Sequence, residues 1–120
     1  MTKLFIYGTL KQGYRRSHFL EGQTFLGNAQ TVTGYRLYDA GSYPAMIHDG
    51  QDLAVHGELW EVDAVCLQRL DEIEAVPTLY QRAVVELVLP QQDSVQAYLY
   101  KQSLDGWVDI GSSWPAESTL

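Results

Sequence analysis

Leu53-Ala-Val-His-Gly-Glu-Leu-Trp-Glu-Val-Asp-Ala-Val-Cys-Leu-Gln-Arg-Leu-Asp-Glu-Ile-Glu74 changes its period halfway along. Up to Val62 the side chains alternate. Leu53, Val55, Gly57, Leu59 and Glu61 fall on one side, and Ala54, His56, Glu58, Trp60 and Val62 on the other. Both sides carry apolar groups, which predicts a strand with apolar side chains on both faces. Beyond Asp63, the residues Cys66, Leu67, Leu70 and Ile73 recur at spacings of three and four, one stripe of a helix. Asp63 is a suitable N-cap and Pro77 a stop, so the helix is expected at about 63–74.

Outward from this segment, strands dominate. Leu4-Phe-Ile-Tyr7 reads as a short buried strand ending at Gly8, and Gly8-Thr-Leu-Lys-Gln-Gly13 as a glycine-bounded loop. A short helix is expected from Arg16 to Leu20, closed by Gly22. Strands follow at Thr24–Leu26 and Gln30–Tyr38, with a turn at 39–41. Ala45-Met-Ile47 is a further extended piece, followed by a polar turn over 48–52. Tyr80–Leu89 reads as one long valine-rich strand, Pro90–Ser94 as a hairpin turn, and Val95–Tyr100 as the return. The tail from Lys101 is turn-rich, with Trp107 and Trp114 expected to pack back. Many strands and one clear helix predict an α+β fold. The expected architecture is a small, mixed, partly closed β-barrel of about six to seven strands with the helix on one side.

Composition sets the outer limits. A chain of 120 residues, 46% apolar and 19% charged, predicts one globular domain over 1–120. Area scaling gives it roughly 6,500 Å² of folded surface. Lys plus Arg total 8 against 15 Asp plus Glu, a net charge of −7. With Arg15–Arg16 and little else in the way of clustered cations, nucleic acid and anionic membranes are disfavoured partners. No run approaches the ~20 apolar residues of a membrane span. The opening Met1–Tyr7 is too soon broken to read as a signal peptide. A single cysteine, Cys66, excludes an internal disulfide. The expectation is a soluble cytoplasmic protein.

Several residue groups could carry chemistry. Gly8 and Gly13 have the glycine spacing of a phosphate loop, but Tyr14-Arg15 stand where a lysine and a hydroxyl are required, so ATP or GTP binding is rejected. What remains is a glycine after a strand, either a tight turn or a place where backbone N–H groups converge on an anion or oxyanion. Asp71, Glu72 and Glu74 crowd a helix C-terminus, where negative charge is locally unfavourable. Glu74 stands apart because Ala75, Val76 and Pro77 follow it. A carboxyl in apolar surroundings has a raised pKa and can act as a general acid or base, whereas one facing water is only a solvated group. His56 and Glu58 share a strand face without a third ligand at a suggestive spacing, so no metal is expected. Cys66, on the apolar stripe, reads as a core thiol. Ser17, Ser42 and Ser112 lack the setting of a serine nucleophile. The many tyrosines suit either sheet packing or an aromatic pocket with polar tips. Arg82 could pair with a substrate's carboxylate or with one of Asp71, Glu72 and Glu74, and the structural pair is the expectation.

Five stretches in order resemble the γ-glutamylcyclotransferase-like superfamily. They are Tyr7-Gly-Thr-Leu-Lys-Gln-Gly13, Gly34-Tyr-Arg-Leu-Tyr38 with Tyr43-Pro44, Val55-His-Gly-Glu-Leu-Trp60, Leu70-Asp-Glu-Ile-Glu74 and Leu79-Tyr-Gln-Arg82. The combination is most similar to the γ-glutamylamine cyclotransferase branch, which itself resembles plant stress-induced and small bacterial members. The resemblance implies a barrel-and-helix fold and a cofactor-independent release of an amine from a γ-glutamylamine, with 5-oxoproline as the other product. It implies Glu74 as the catalytic acid/base and Tyr7, Gly8, Thr9 and Leu10 as the substrate-binding loop; Tyr43 and Tyr98 are separate candidates to line the site, from the aromatic-pocket reading. The implied partner is a small γ-glutamyl substrate, and the protein is expected as a monomer or weak homodimer. The net negative charge favours, weakly, a substrate or product carrying an amine. Two other readings are open: removal of a γ-glutamyl group from a biosynthetic intermediate, and a non-catalytic small-molecule binding domain on the same fold.

Overall fold

The computed structural model describes residues 1–39, 43–49, 53–92 and 94–115. Among these residues the chain forms nine strands and one α-helix. The elements are β1 (Thr2–Ile6), β2 (Thr24–Thr31), β3 (Tyr35–Asp39), β4 (Pro44–His48), β5 (His56–Val62), α1 (Ala64–Ile73), β6 (Tyr80–Val85), β7 (Leu87–Leu89), β8 (Val95–Tyr100) and β9 (Val108–Gly111). A short 3-10 helix covers Ser17–Leu20. The accessible surface is 6605 Å², close to the scaling expectation.

Alternation across the sheet explains why so many strands are apolar on both sides. Phe5, Leu59, Val95 and Ala97 pack into one cluster with Leu37, Met46 and Leu87. Their immediate neighbours Leu4, Ile6, Trp60 and Tyr98, with Val62 further along β5, face the other way, into a second cluster under α1 with Cys66 and Leu70. Period-two side chains thus feed two cores from the same strands. The helix supplies the expected stripe, with Leu67 and Ile73 packed at its margin. Its start is fixed as expected: the Asp63 carboxylate accepts from the Cys66 N–H at 2.7 Å.

The sheet runs β7-β2-β5-β1-β8-β4-β3-β9, with β6 on the other edge of β8. β8 lies parallel to β1 and β4, and the remaining pairs are antiparallel, so the sheet is mixed. The hydrogen-bonded path is open, but the chain itself runs from β6 through Glu86 into β7, from the β8 side to the β2 side. The result is a partly closed barrel. At Gly57 an added Cβ would lie 2.3 Å from the Ile6 carbonyl oxygen and 2.8 Å from the Phe5 ring. Only a glycine lets β5 come this close to β1.

Four element boundaries differ from the sequence expectation. Tyr80–Leu89 is two strands, because β6 pairs with β8 and β7 with β2, and the chain bends at Glu86 to change partner. The expected breaks between 26 and 30 are absent: β2 is continuous over Thr24–Thr31, with an irregularity near Phe25 and Gly27 taking up the register shift. The expected Gln30–Tyr38 strand is instead interrupted before Tyr35, where Gly34 and Tyr35 both donate to the Leu53 carbonyl. β5 begins at His56, since Val55 and Leu53 bond to β2 and to this interruption. The tail packs back as expected and adds β9 to β3. Trp114 is buried in the first core, its ring lies tilted 5.4 Å from that of Tyr14, and its carbonyl accepts from Lys11 Nζ. The turns expected at 39–41, 48–52 and 90–94 lie in part outside the described residues, as does Ser42.

Candidate active site

The last turn of α1 sets Glu74 in place. Ala75 has φ +52°, the left-handed conformation that reverses a chain after a helix. Its N–H donates to the Glu72 carbonyl at 3.1 Å and the Val76 N–H to the Asp71 carbonyl at 3.0 Å. This is the Schellman pattern with alanine where glycine is usual. Glu74 is therefore the capping residue, and its own N–H still bonds back to Leu70.

The facing wall is the loop after β1. The Gly8 carbonyl accepts from Lys11 N–H at 3.0 Å, and the Thr9 carbonyl from Arg16 N–H at 2.9 Å. Neither turn bond uses the N–H groups of Gly8, Thr9 or Leu10. An added Cβ at Gly8 would lie 2.8 Å from the Pro44 ring, so the glycine is needed for close approach to β4.

Between these walls lies a cavity of about 220 Å³. Tyr7, Gly8, Thr9, Leu10, Tyr43, Glu74 and Tyr98, all named from the sequence, line it together. It also takes in Arg16, Pro44, Leu79 and Tyr80, which the sequence reading did not assign to a site. Tyr80 lay within a recognised motif, and alternation alone puts it on the helix face of β6. Arg16 gave no signal beyond its charge.

Burial pushes the Glu74 carboxyl up to about 7, and the nearby Arg16 charge pulls it partly back. The negative end of the helix acts in the upward direction as well. The carboxyl is then close to half-protonated at neutral pH, the state in which one group can both take and return a proton. Asp71, three residues earlier, is used differently. It accepts from Arg82 Nε at 2.8 Å, Arg82 Nη2 at 3.1 Å and the Tyr98 hydroxyl at 2.7 Å. The pair expected for Arg82 is thus with Asp71. Glu72 is exposed.

Three of the phenols that line the cavity, Tyr7, Tyr80 and Tyr98, are tied into the fold by their hydroxyls. Tyr7 donates to the Tyr98 carbonyl and accepts from the Met46 N–H, and Tyr80 donates to the Pro44 carbonyl at 2.8 Å. Burial raises the pKa of Tyr7, Tyr80 and Tyr98, so they stay neutral. Tyr43 stands edge-on to Trp107, their centroids 5.5 Å apart, which brings the tail beside the cavity. Elsewhere, Glu58 accepts from Trp60 Nε1 and from the Gln12 N–H. Cys66 is buried, and burial raises its thiol pKa, as suits a core residue.

The sequence model of the family described as gamma-glutamyl cyclotransferase, AIG2-like, matches residues 4–115. The chain belongs to the gamma-glutamylcyclotransferase family. Gamma-glutamylaminecyclotransferase from Rattus norvegicus is 36% identical over 115 residues, covering 83% of this chain and 77% of that protein. An AIG2-like protein from Mus musculus superposes with a TM-score of 0.71 at 33% identity, over 86% of this chain and 78% of that one. A uropathogenic Escherichia coli-specific protein has a TM-score of 0.80 at 22% identity, over 94% of this chain and 91% of that one, and shows the shared fold alone. The family model spans the Gly8 loop and the end of α1. Among the described residues, no helix is long and apolar enough to cross a membrane.

Proposed function

We propose that the protein is a γ-glutamylamine cyclotransferase-like enzyme, which releases an amine from a γ-glutamyl amine and forms 5-oxoproline. The observation that carries this reading is Glu74. In a chain of this family, it is a carboxyl held at about 7 on the wall of a cavity that faces the Gly8–Leu10 backbone.

The reaction is intramolecular, so holding the folded-back conformer supplies much of the rate. Glu74 takes a proton from the substrate α-ammonium. The freed amine attacks the γ-carbonyl carbon, a C–N bond forms, and the carbonyl π pair moves onto oxygen. Backbone N–H groups of Gly8, Thr9 and Leu10 suit that oxyanion. The pair returns, the bond to the departing nitrogen breaks, and the lactam remains. Two protons pass from the α-nitrogen to the departing nitrogen, which leaves as an ammonium ion. Glu74 carries them in turn. Tyr43, Tyr80 and Tyr98 supply the aromatic walls.

The test is an endpoint assay for 5-oxoproline with ε-(γ-glutamyl)-lysine and γ-glutamyl-alanine. The native protein is expected to release product preferentially from the first. Product from neither contradicts the reading.

A further inference from the structure

The loop that carries Gly8 also carries a cation into the cavity. Arg16 lines the same space as Glu74, and its backbone is pinned by the N–H bond to Thr9. Among the described residues the ion pairs are Arg36 with Asp49 and Asp109, and Arg82 with Asp71. Arg16 is in none of them, and no hydrogen bond among the described residues uses its guanidinium. Arg82, the other arginine near this helix end, is fully engaged by Asp71 and Gln96. The cavity therefore presents one acid and one uncommitted guanidinium that do not pair with each other.

We propose that Arg16 is the specificity residue for the α-carboxylate of the substrate's γ-glutamyl unit. Glu74 and Arg16 divide the amino-acid head between them, the α-amine going to Glu74 and the α-carboxylate to Arg16. A planar guanidinium matches a carboxylate with two parallel hydrogen bonds. This assignment leaves the N–H groups of Gly8, Thr9 and Leu10 for the oxyanion, not for the carboxylate. A γ-glutamyl unit whose α-carboxylate is blocked, as within a peptide chain or as a primary amide, is then a poor substrate. The proposal rests on the cavity being a γ-glutamyl site.

The test pairs a change in the protein with a change in the ligand. Kinetics are measured with ε-(γ-glutamyl)-lysine and with the same compound bearing an α-carboxamide, on native protein, Arg16→Gln and Arg16→Lys. Binding of 5-oxoproline and 5-oxoprolinamide is measured calorimetrically on the same proteins, whose folding is checked by thermal melts. In native protein the carboxylate substrate is expected to exceed the amide by roughly 10- to 100-fold in kcat/KM. Arg16→Gln should erase that preference, mainly through KM, lower the amide rate far less than the acid rate, and weaken 5-oxoproline binding. Arg16→Lys should restore part of it. An Arg16→Gln loss that is equal for acid and amide, or unchanged 5-oxoproline affinity, overturns the proposal while leaving cyclotransfer intact. Native protein that binds 5-oxoproline through Arg16 but turns over neither substrate keeps the proposal and overturns the cyclotransferase reading. Absence of both binding and turnover overturns both.

Discussion

Asp71 and Glu74 leave the last turns of one helix, three positions apart, and serve opposite ends. Asp71 turns toward β6 and β8, where Arg82 and the Tyr98 hydroxyl close three hydrogen bonds on it. Glu74 turns toward the Gly8 loop, where burial holds its carboxyl near neutrality. Charged partners make the first carboxylate a fixed strut. Desolvation with little compensation makes the second a proton carrier. The chemical type of a residue thus says little here, and the donors that surround it say nearly everything.

The largest effect expected from breaking this contrast is at Glu74. Glu74→Gln should lower kcat/KM for 5-oxoproline release by about 100- to 10,000-fold. Thermal melts should show it folded. A variant retaining activity within tenfold of native would remove the contrast altogether.

The same carboxyl leaves a mark on stability. Its folded pKa of about 7 lies above the ordinary 4.5. Between those values the folded protein holds a proton that the unfolded chain has lost, so stability falls as pH rises. The native-minus-Glu74→Gln difference in unfolding free energy should therefore drop by about 3 kcal/mol from pH 4.5 to above 7. Urea titrations across that range read it directly. A flat difference would mean that Glu74 is solvated.

Asp71→Asn attacks the strut side. Arg82 then keeps a half-buried charge without its carboxylate, and a loss of about 2 kcal/mol in unfolding free energy is expected. Activity should fall far less than for Glu74→Gln. An inversion of these rankings, with Asp71→Asn the more damaging to kcat and neutral to stability, would exchange the two roles. The smallest effect is at the residue that follows Glu74. Ala75 holds φ +52°, where glycine carries no steric penalty. Ala75→Gly should raise stability by about 1 kcal/mol in urea titrations and change kcat less than about twofold.

Much of this geometry was legible locally. The change of period at Asp63 located β5 and α1, because N-capping and side-chain alternation depend on neighbours in sequence. The continuous apolar character of β1, β5 and β8 is explained by the two cores that share them. The strand expected over Tyr80–Leu89 divides because a change of partner at Glu86 is a property of the closing sheet, with no counterpart in the valine-rich composition. At the site, Glu74 could be singled out by its apolar followers. Tyr98 lines the cavity, but its hydroxyl donates to Asp71, across a separation of 27 residues. Arg16 is silent in the sequence because the loop's own turn bonds, among them that from its N–H to the Thr9 carbonyl, bring it to the cavity. Contacts set by irregular loops and by tertiary pairing leave no periodic trace.

The most direct test of the contrast is a carbon-13 NMR titration of the glutamate carboxyl carbons, with Glu74→Gln used to assign the Glu74 signal. The account predicts a midpoint of about 7 for Glu74. A midpoint at the ordinary glutamate value near 4.5 would contradict it, since Glu74 would then be one more solvated carboxylate at the end of a helix.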